Sequence, residues 1–128
     1  CGTGHSVSFV GNVHEGPHAL NGRNQVRFRP GMVVTDEPGV YEGGRLGIRI
    51  ENELECRHKE DNQYGTFLCF EPLTWVPIAT SPIVPGVLTR EQLDWLNGYH
   101  RKVFQLLAPR LTEDERNWLA AKCAAIGA

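Results

Sequence analysis

The sequence predicts an α+β fold, a mainly antiparallel sheet backed by two C-terminal helices. Short apolar stretches punctuated by Gly, Pro and Asn fill the earlier part of the chain, the mark of strands joined by turns. Two Thr-initiated capping signatures, each ahead of apolar residues at helical spacing, mark the end. The sheet part is expected over about 1–85 and the helical tail over about 89–126, in a chain of 128 residues long enough for one domain.

Along the chain, "HSVSFVGNVH" alternates small or polar residues with Val7, Phe9 and Val13, a weak strand signal. "NVHEGPHAL" contains His14-Glu15-Gly16-Pro17-His18, a formal match to the zinc-helix pattern H-E-x-x-H. That pattern needs both histidines on one helical face. Glycine costs a helix interior about 1 kcal/mol and proline about 3, and proline drives the residue before it out of the α region. The stretch is therefore the end of an extended segment running into a turn, and "NGRN" (21–24) is a turn.

"PGMVVTDEPGVY" reads as a strand interrupted at Pro38-Gly39, and Gly43-Gly44 as a tight hairpin turn. Beyond it, Ile48, Ile50 and Leu54 alternate with Arg49, Glu51, Glu53 and Glu55, giving one apolar and one charged face. The run from Glu53 through Lys59, Glu60 and Asp61 reads as a solvated edge and loop. "YGTFLCFEPL" is a further strand, and "VPIATSPIVPG", with three prolines, an irregular extended connection. Thr89 to Gln92 caps a helix whose apolar positions are Leu93, Leu96, Val103, Leu106 and Leu107, stopped by Pro109. Thr112 to Glu115 caps a second, with Trp118, Leu119, Cys123 and Ile126 as its apolar face. These aromatics and leucines are expected in the core.

Composition narrows the functional classes. A net charge of −2 argues against broad electrostatic binding to nucleic acid or an anionic membrane. No apolar run is long enough to span a bilayer. Cys1, Cys56, Cys69 and Cys123 form no CxxC pair, which argues against a zinc knuckle and for free thiols in a reducing cytoplasm.

The chemistry concentrates at the hairpin. If Gly43-Gly44 is a two-residue loop, Glu42 meets Arg45 and Glu37 falls opposite Ile50, one position from Glu51. A three-residue loop puts Glu37 directly opposite Glu51. Either way two carboxylates lie close across neighbouring strands, which is unfavourable unless a positive charge sits between them. A metal ion or Arg49 could supply it; the alternative is a solvated face with Arg49 in a surface ion pair. Asp36 points to the opposite face. His5, after the turn Gly2-Thr3-Gly4, would complete an oxygen-rich site suited to Mn²⁺, Co²⁺, Fe²⁺ or Zn²⁺, although spacing alone does not bring it there.

Three blocks, "GTGHSVSFVGNVHEGP", "PGMVVTDEPGVYEGGRLGIRIEN" and "FEPLTWVPI…WLNGYH", resemble in order the catalytic domain of the aminopeptidase P family, the Xaa-Pro aminopeptidases among the pita-bread metallopeptidases of family M24. The resemblance runs to Trp118. It implies the C-terminal portion of a pita-bread fold, with two divalent metal ions, usually manganese with zinc or cobalt as alternatives, held by two aspartates, a histidine and two glutamates. His5 matches the histidine ligand, Glu37 the first glutamate and Glu51 the glutamate bridging both ions. His14 matches a histidine that contacts substrate and moves protons; Tyr41 and Arg49 resemble residues that orient a ligating carboxylate. The implied reaction is hydrolysis of the bond between an N-terminal residue and a following proline by a metal-bridging hydroxide. Ser6, Ser8 and Gly11 depart from the usual family residues.

By the same resemblance the aspartate ligands lie upstream of His5. The chain is expected to be a C-terminal fragment with three of four ligands for one ion and one of three for the other, metal-poor and inactive by itself. Its uncovered edges suggest a homo-oligomer, most simply a dimer. The expected substrate is a peptide with proline second. Rival readings are a prolidase restricted to dipeptides and a non-catalytic pita-bread binding module. His18, His58 and His100 receive no role, His100 being read as structural.

Overall fold

Among residues 2–84 and 86–127, which the computed structural model of the chain describes, strands come first and helices last. The chain divides between Thr74 and Trp75 into two units, the first built of strands and the second of helices.

In the first unit, β1 (His5–Ser6) pairs antiparallel with β2 (Glu15–Ala19) as a small ribbon. β3 (Val33–Asp36), β6 (Asn52–Asn62) and β7 (Gly65–Pro72) form an antiparallel sheet in the order β3-β6-β7. β4 (Gly39–Glu42) and β5 (Leu46–Arg49) form a two-stranded hairpin. Asp36 pairs with Asn52 at the end of the β3-β6 ladder, and Gly39 pairs with Arg49 at the start of the β4-β5 ladder. The two ladders are in one register, so a single long hairpin runs through both. Its joint is Glu37-Pro38 on one arm and Ile50-Glu51 on the other, with the Ile50 N–H on the Pro38 carbonyl at 3.2 Å. Pro38 has no N–H to return, and the regular ladder lapses there. Glu42 pairs with Leu46, so the tip is the three-residue loop Gly43-Gly44-Arg45, with Gly44 at φ +71°. Of the two registers open to the sequence, this is the one that sets Glu37 opposite Glu51.

Several expectations are corrected. The strand proposed across Val7, Phe9 and Val13 does not form beyond Ser6; Phe9 and Val13 are exposed. Local side-chain bonds take the backbone instead: Ser8 Oγ accepts from the Gly11 N–H at 2.9 Å, and Glu15 Oε1 from the Asn12 N–H at 2.6 Å. The extended reading of "HEGPHA" holds, as strand β2, with a cis Gly16-Pro17 bond. Lys59, Glu60 and Asp61 are not loop but strand, because β6 runs on to Asn62 through an irregularity between His58 and Glu60. The apolar side chains Ile48 and Ile50 are exposed rather than core. Cys56, Cys69 and Cys123 are free thiols; Cys1 lies outside the described residues.

The second unit holds α1 (Arg90–Leu107), a short 3-10 turn (Ala108–Arg110) and α2 (Glu113–Lys122). The first capping box forms as the sequence predicts, with the Gln92 N–H on Thr89 Oγ1 at 3.2 Å and the Thr89 N–H on Gln92 Oε1 at 2.9 Å. At α2, Glu115 accepts from both the N–H and the hydroxyl of Thr112, which holds its carboxyl below the ordinary value. Tyr99, Val103 and Leu119 are buried with Trp75, Ile78, Phe104, Leu107 and Leu111 packed around them. Trp118 departs from the expected core: it is 59% exposed, with Lys122 Nζ 5.8 Å from its ring centre. Leu106 is likewise exposed. The Tyr99 hydroxyl donates to the Val76 carbonyl (2.9 Å), and the Ile78 N–H donates to Nε2 of the buried His100 (3.1 Å). His100 thus serves structure, as read.

Two predictions follow from this core. Leu119→Ala should lower the unit's unfolding free energy by about 2–5 kcal/mol, read by urea denaturation, because the side chain is almost fully buried. Burial pushes the His100 pKa below its ordinary 6.5, and the Ile78 N–H fills the lone pair a proton would need. The unfolded chain therefore binds more protons, and stability should fall as pH drops below about 6.5, by at most about 1.4 kcal/mol per pH unit. His100→Gln should flatten that slope.

Candidate metal centre

Three separate segments meet at Glu37. The β1-β2 ribbon shares no ladder with β3, so side chains make the junction. The Gly4 N–H donates to Thr35 Oγ1 at 3.1 Å, the Glu37 N–H to Thr3 Oγ1 at 2.9 Å, and His18 Nε2 to the Val33 carbonyl at 2.7 Å. Gly4 itself sits at φ +78° with its α-carbon against Leu20; a Cβ there would lie 2.6 Å from Leu20 Cβ. Only glycine fits that close approach, which sets the entry into His5.

His5 Nε2 lies 2.7 Å from Glu37 Oε1, and Thr35 Oγ1 donates to the same oxygen at 3.2 Å. Glu37 is only 5% exposed. Across the joint, Arg49 lies between the two glutamates: its NH1 is 3.6 Å from Glu37 Oε2 and its Nε 3.1 Å from Glu51 Oε2. The register explains this. Arg49 and Glu51 are two apart on one arm, so they share a face, and Glu37 is opposite. Arg49, one of the two positive charges the sequence allowed, thus lies against both carboxylates.

The donor set suits a divalent cation of intermediate hardness, an imidazole with two carboxylates. The orientation of His5 also fits. Its Nδ1 is 2.9 Å from the Ser6 carbonyl, which can only accept, so Nδ1 carries a hydrogen. Nε2 then faces a carboxylate oxygen with either a proton or a lone pair. A lone pair aimed at a carboxylate needs a cation, and a carbonyl on the far nitrogen is how ligating histidines are commonly held. Convergence is partial: among the described residues no group of three His, Cys, Asp or Glu side chains closes on one point. His5 and Glu37 meet directly, and Glu51 meets them through Arg49.

The other expected residues are placed less centrally. The His14 ring is 4.3 Å from the His5 ring, centre to centre, and exposed. The Tyr41 ring lies over Gly39 and Gly47, its hydroxyl closest to where a Gly39 Cβ would be. Among the described residues it makes no hydrogen bond to Glu37 or Glu51. Sequence reading passed over Thr3, Thr35 and His18. Thr35 had a visible signal, since it stands two residues before Glu37 on a strand and must share its face.

A family model described as "Metallopeptidase family M24" matches residues 1–58, and one described as "C-terminal region of peptidase_M24" matches residues 66–126. The chain belongs to metallopeptidase family M24. Within that family it is 45% identical to aminopeptidase P1 of Arabidopsis thaliana over 124 residues, covering 92% of this chain and 19% of that protein. It is 42% identical to a probable Xaa-Pro aminopeptidase P of Coprinopsis cinerea, covering 92% of this chain and 20% of the other. A crystal structure of the X-prolyl aminopeptidase of Caenorhabditis elegans, described as a cytosolic enzyme with a di-nuclear active site, matches 98% of this chain and 21% of its own, with a TM-score of 0.81 and 39% identity. The fold is thus a portion of the pita-bread M24 fold, and the chain spans about a fifth of the length of these relatives.

Arg49→Gln should remove the one guanidinium that lies against both carboxylates. The expected cost is about 1–2 kcal/mol, between that of a surface pair and a buried one, because Arg49 is 44% exposed and Glu37 is not. Glu51→Gln in the same background should recover part of it in a urea double-mutant cycle.

Proposed function

We propose that this chain supplies the histidine and both glutamate ligands of a two-metal Xaa-Pro aminopeptidase. The observation that supports the reading is the contact of His5 Nε2 with Glu37 Oε1 at 2.7 Å, with Glu51 opposite Glu37 in the same hairpin register. The relatives' names supply the reaction class: aminopeptidase P and X-prolyl aminopeptidase remove an N-terminal residue that precedes proline. The substrate class is accordingly a peptide with proline at the second position.

In this reading His5, Glu37 and Glu51 hold divalent cations, Mn²⁺ first with Zn²⁺ and Co²⁺ as alternatives. When bound, such ions lower the pKa of water and stabilise negative charge developing on the scissile carbonyl. The chain's own residues do the rest. Arg49 holds the heads of both carboxylates in position from the side. His14 offers an exposed imidazole beside His5, where it can contact the peptide and carry a proton to the departing proline nitrogen. Tyr41 packs the β4-β5 arm, fixing the strand that carries Arg49.

The same proposal covers the isolated chain. One imidazole, one buried carboxylate and one carboxylate already paired with arginine make a weak site for a single ion, so the chain alone should hydrolyse no Xaa-Pro peptide. Localisation in the cytoplasm, where the three described thiols stay reduced, belongs to the reading as well. So does a homo-oligomer, for which the exposed Val40, Leu46 and Ile48 of the hairpin are the supporting feature.

In the full-length protein, Glu51→Ala should abolish Mn²⁺-dependent hydrolysis of Xaa-Pro peptides; retained turnover would sink the site assignment. His14→Ala should lower kcat by roughly 10²–10⁴-fold while Mn²⁺ content, measured by metal analysis, stays unchanged.

A further inference from the structure

Thr35 bonds both the Gly4 N–H just ahead of the ribbon and the Glu37 carboxylate just past β3. It is 1% exposed. A hydroxyl carries one hydrogen and two acceptor lone pairs. The Gly4 N–H uses a lone pair, and Glu37, which only accepts when ionised, takes the hydrogen. The direction of the relay is therefore fixed: backbone N–H to hydroxyl to carboxylate. Gly4 is covalently next to His5, and Glu37 Oε1 is the oxygen that His5 Nε2 approaches. The hydroxyl thus spans the two sides of the His5–Glu37 contact with two hydrogen bonds.

We propose that Thr35 is a positioning residue for the metal centre: its hydroxyl sets the separation of the His5 segment from Glu37 and helps orient the Glu37 carboxylate that meets the His5 imidazole. The inference rests on the reading of His5 and Glu37 as ligands. It goes beyond that reading by making the pair's geometry depend on a group that touches no ion. Thr35 does this where no ladder exists, since β1 and β3 belong to different sheets. Two further bonds, from the Glu37 N–H to Thr3 Oγ1 and from His18 Nε2 to the Val33 carbonyl, hold the same two segments but touch neither the imidazole of His5 nor the carboxylate of Glu37. Of these three bridging side chains, Thr35 is the one bonded to a Glu37 carboxylate oxygen.

The test is made in the full-length protein with Mn²⁺ as the probe, by calorimetric titration alongside steady-state turnover of an Xaa-Pro peptide. Thr35→Val keeps the shape and removes the hydroxyl; Thr35→Ser keeps the hydroxyl. Removing a partner that orients a ligand typically weakens metal binding by roughly 10–100-fold. Thr35→Val should show that loss in Mn²⁺ affinity and in kcat, with KM changed much less. Thr35→Ser should bind Mn²⁺ within about threefold of the wild type, a rescue that a purely space-filling role does not give. If Thr35→Val fails to fold, Thr35→Ala against Thr35→Ser isolates the same oxygen. Equal Mn²⁺ affinity across the hydroxyl-bearing and hydroxyl-free forms overturns the inference. Glu37→Gln separates the two levels: it should lose Mn²⁺ binding. If it loses binding while Thr35→Val does not, the positioning role alone is wrong; if it binds like wild type, the ligand reading and the inference built on it both fall.

Discussion

Two carboxylates held opposite each other on one hairpin need a positive charge, and the rest of the first unit is arranged around that requirement. The β3-β6 and β4-β5 ladders share a register, and the joint between them, where the regular ladder lapses, is where Glu37 and Glu51 face each other. Arg49 answers the charge from one side, and the His5 imidazole meets Glu37 from another. Glu37 is buried, and these neighbours with the hydroxyl of Thr35 are the partners of its carboxylate oxygens. The joint is thus an ion-pair network, and in the proposed reading the same carboxylates would hold a divalent cation.

Segments that touch without sharing a sheet need another kind of bond. Hydroxyl and imidazole bridges join the ribbon that carries His5 to the strand that carries Glu37. Backbone ladders give a continuous, repetitive attachment; these bridges are few and directional. They permit a short two-residue strand such as β1 to be held accurately while the long loop behind it, with Phe9 and Val13 exposed, adopts its own local bonding.

Much of this was legible in the residues. Both helix starts follow from their Thr and Gln or Glu spacing, because capping is a local interaction and local interactions can be read locally. Pro17 ruled out the zinc helix for the same reason. The hairpin was legible up to one residue of loop length, an ambiguity that twofold alternation cannot remove and that the observed Glu42-Leu46 pair decides. What escaped was long-range. Nothing within "HSVSFVGNVH" says that its apolar residues lack a partner surface. Nothing in "RHKEDN" says that pairing with β7 extends the strand to Asn62. Trp118 has helical core spacing yet faces outward beneath Lys122. The meeting of His5 with Glu37 spans 32 residues of sequence, and there the family resemblance, not periodicity, supplied the expectation.

The single register through two ladders divides the hairpin by its tolerance of length. At the tip, Gly43 to Arg45 lie beyond the last pair, and an extra residue there only enlarges the loop. At the joint, one inserted residue on either arm would shift every pair beyond it and turn Glu51 or Arg49 to the opposite face. The outer end of this arm is free to drift in size over time, and the four residues at its middle are not.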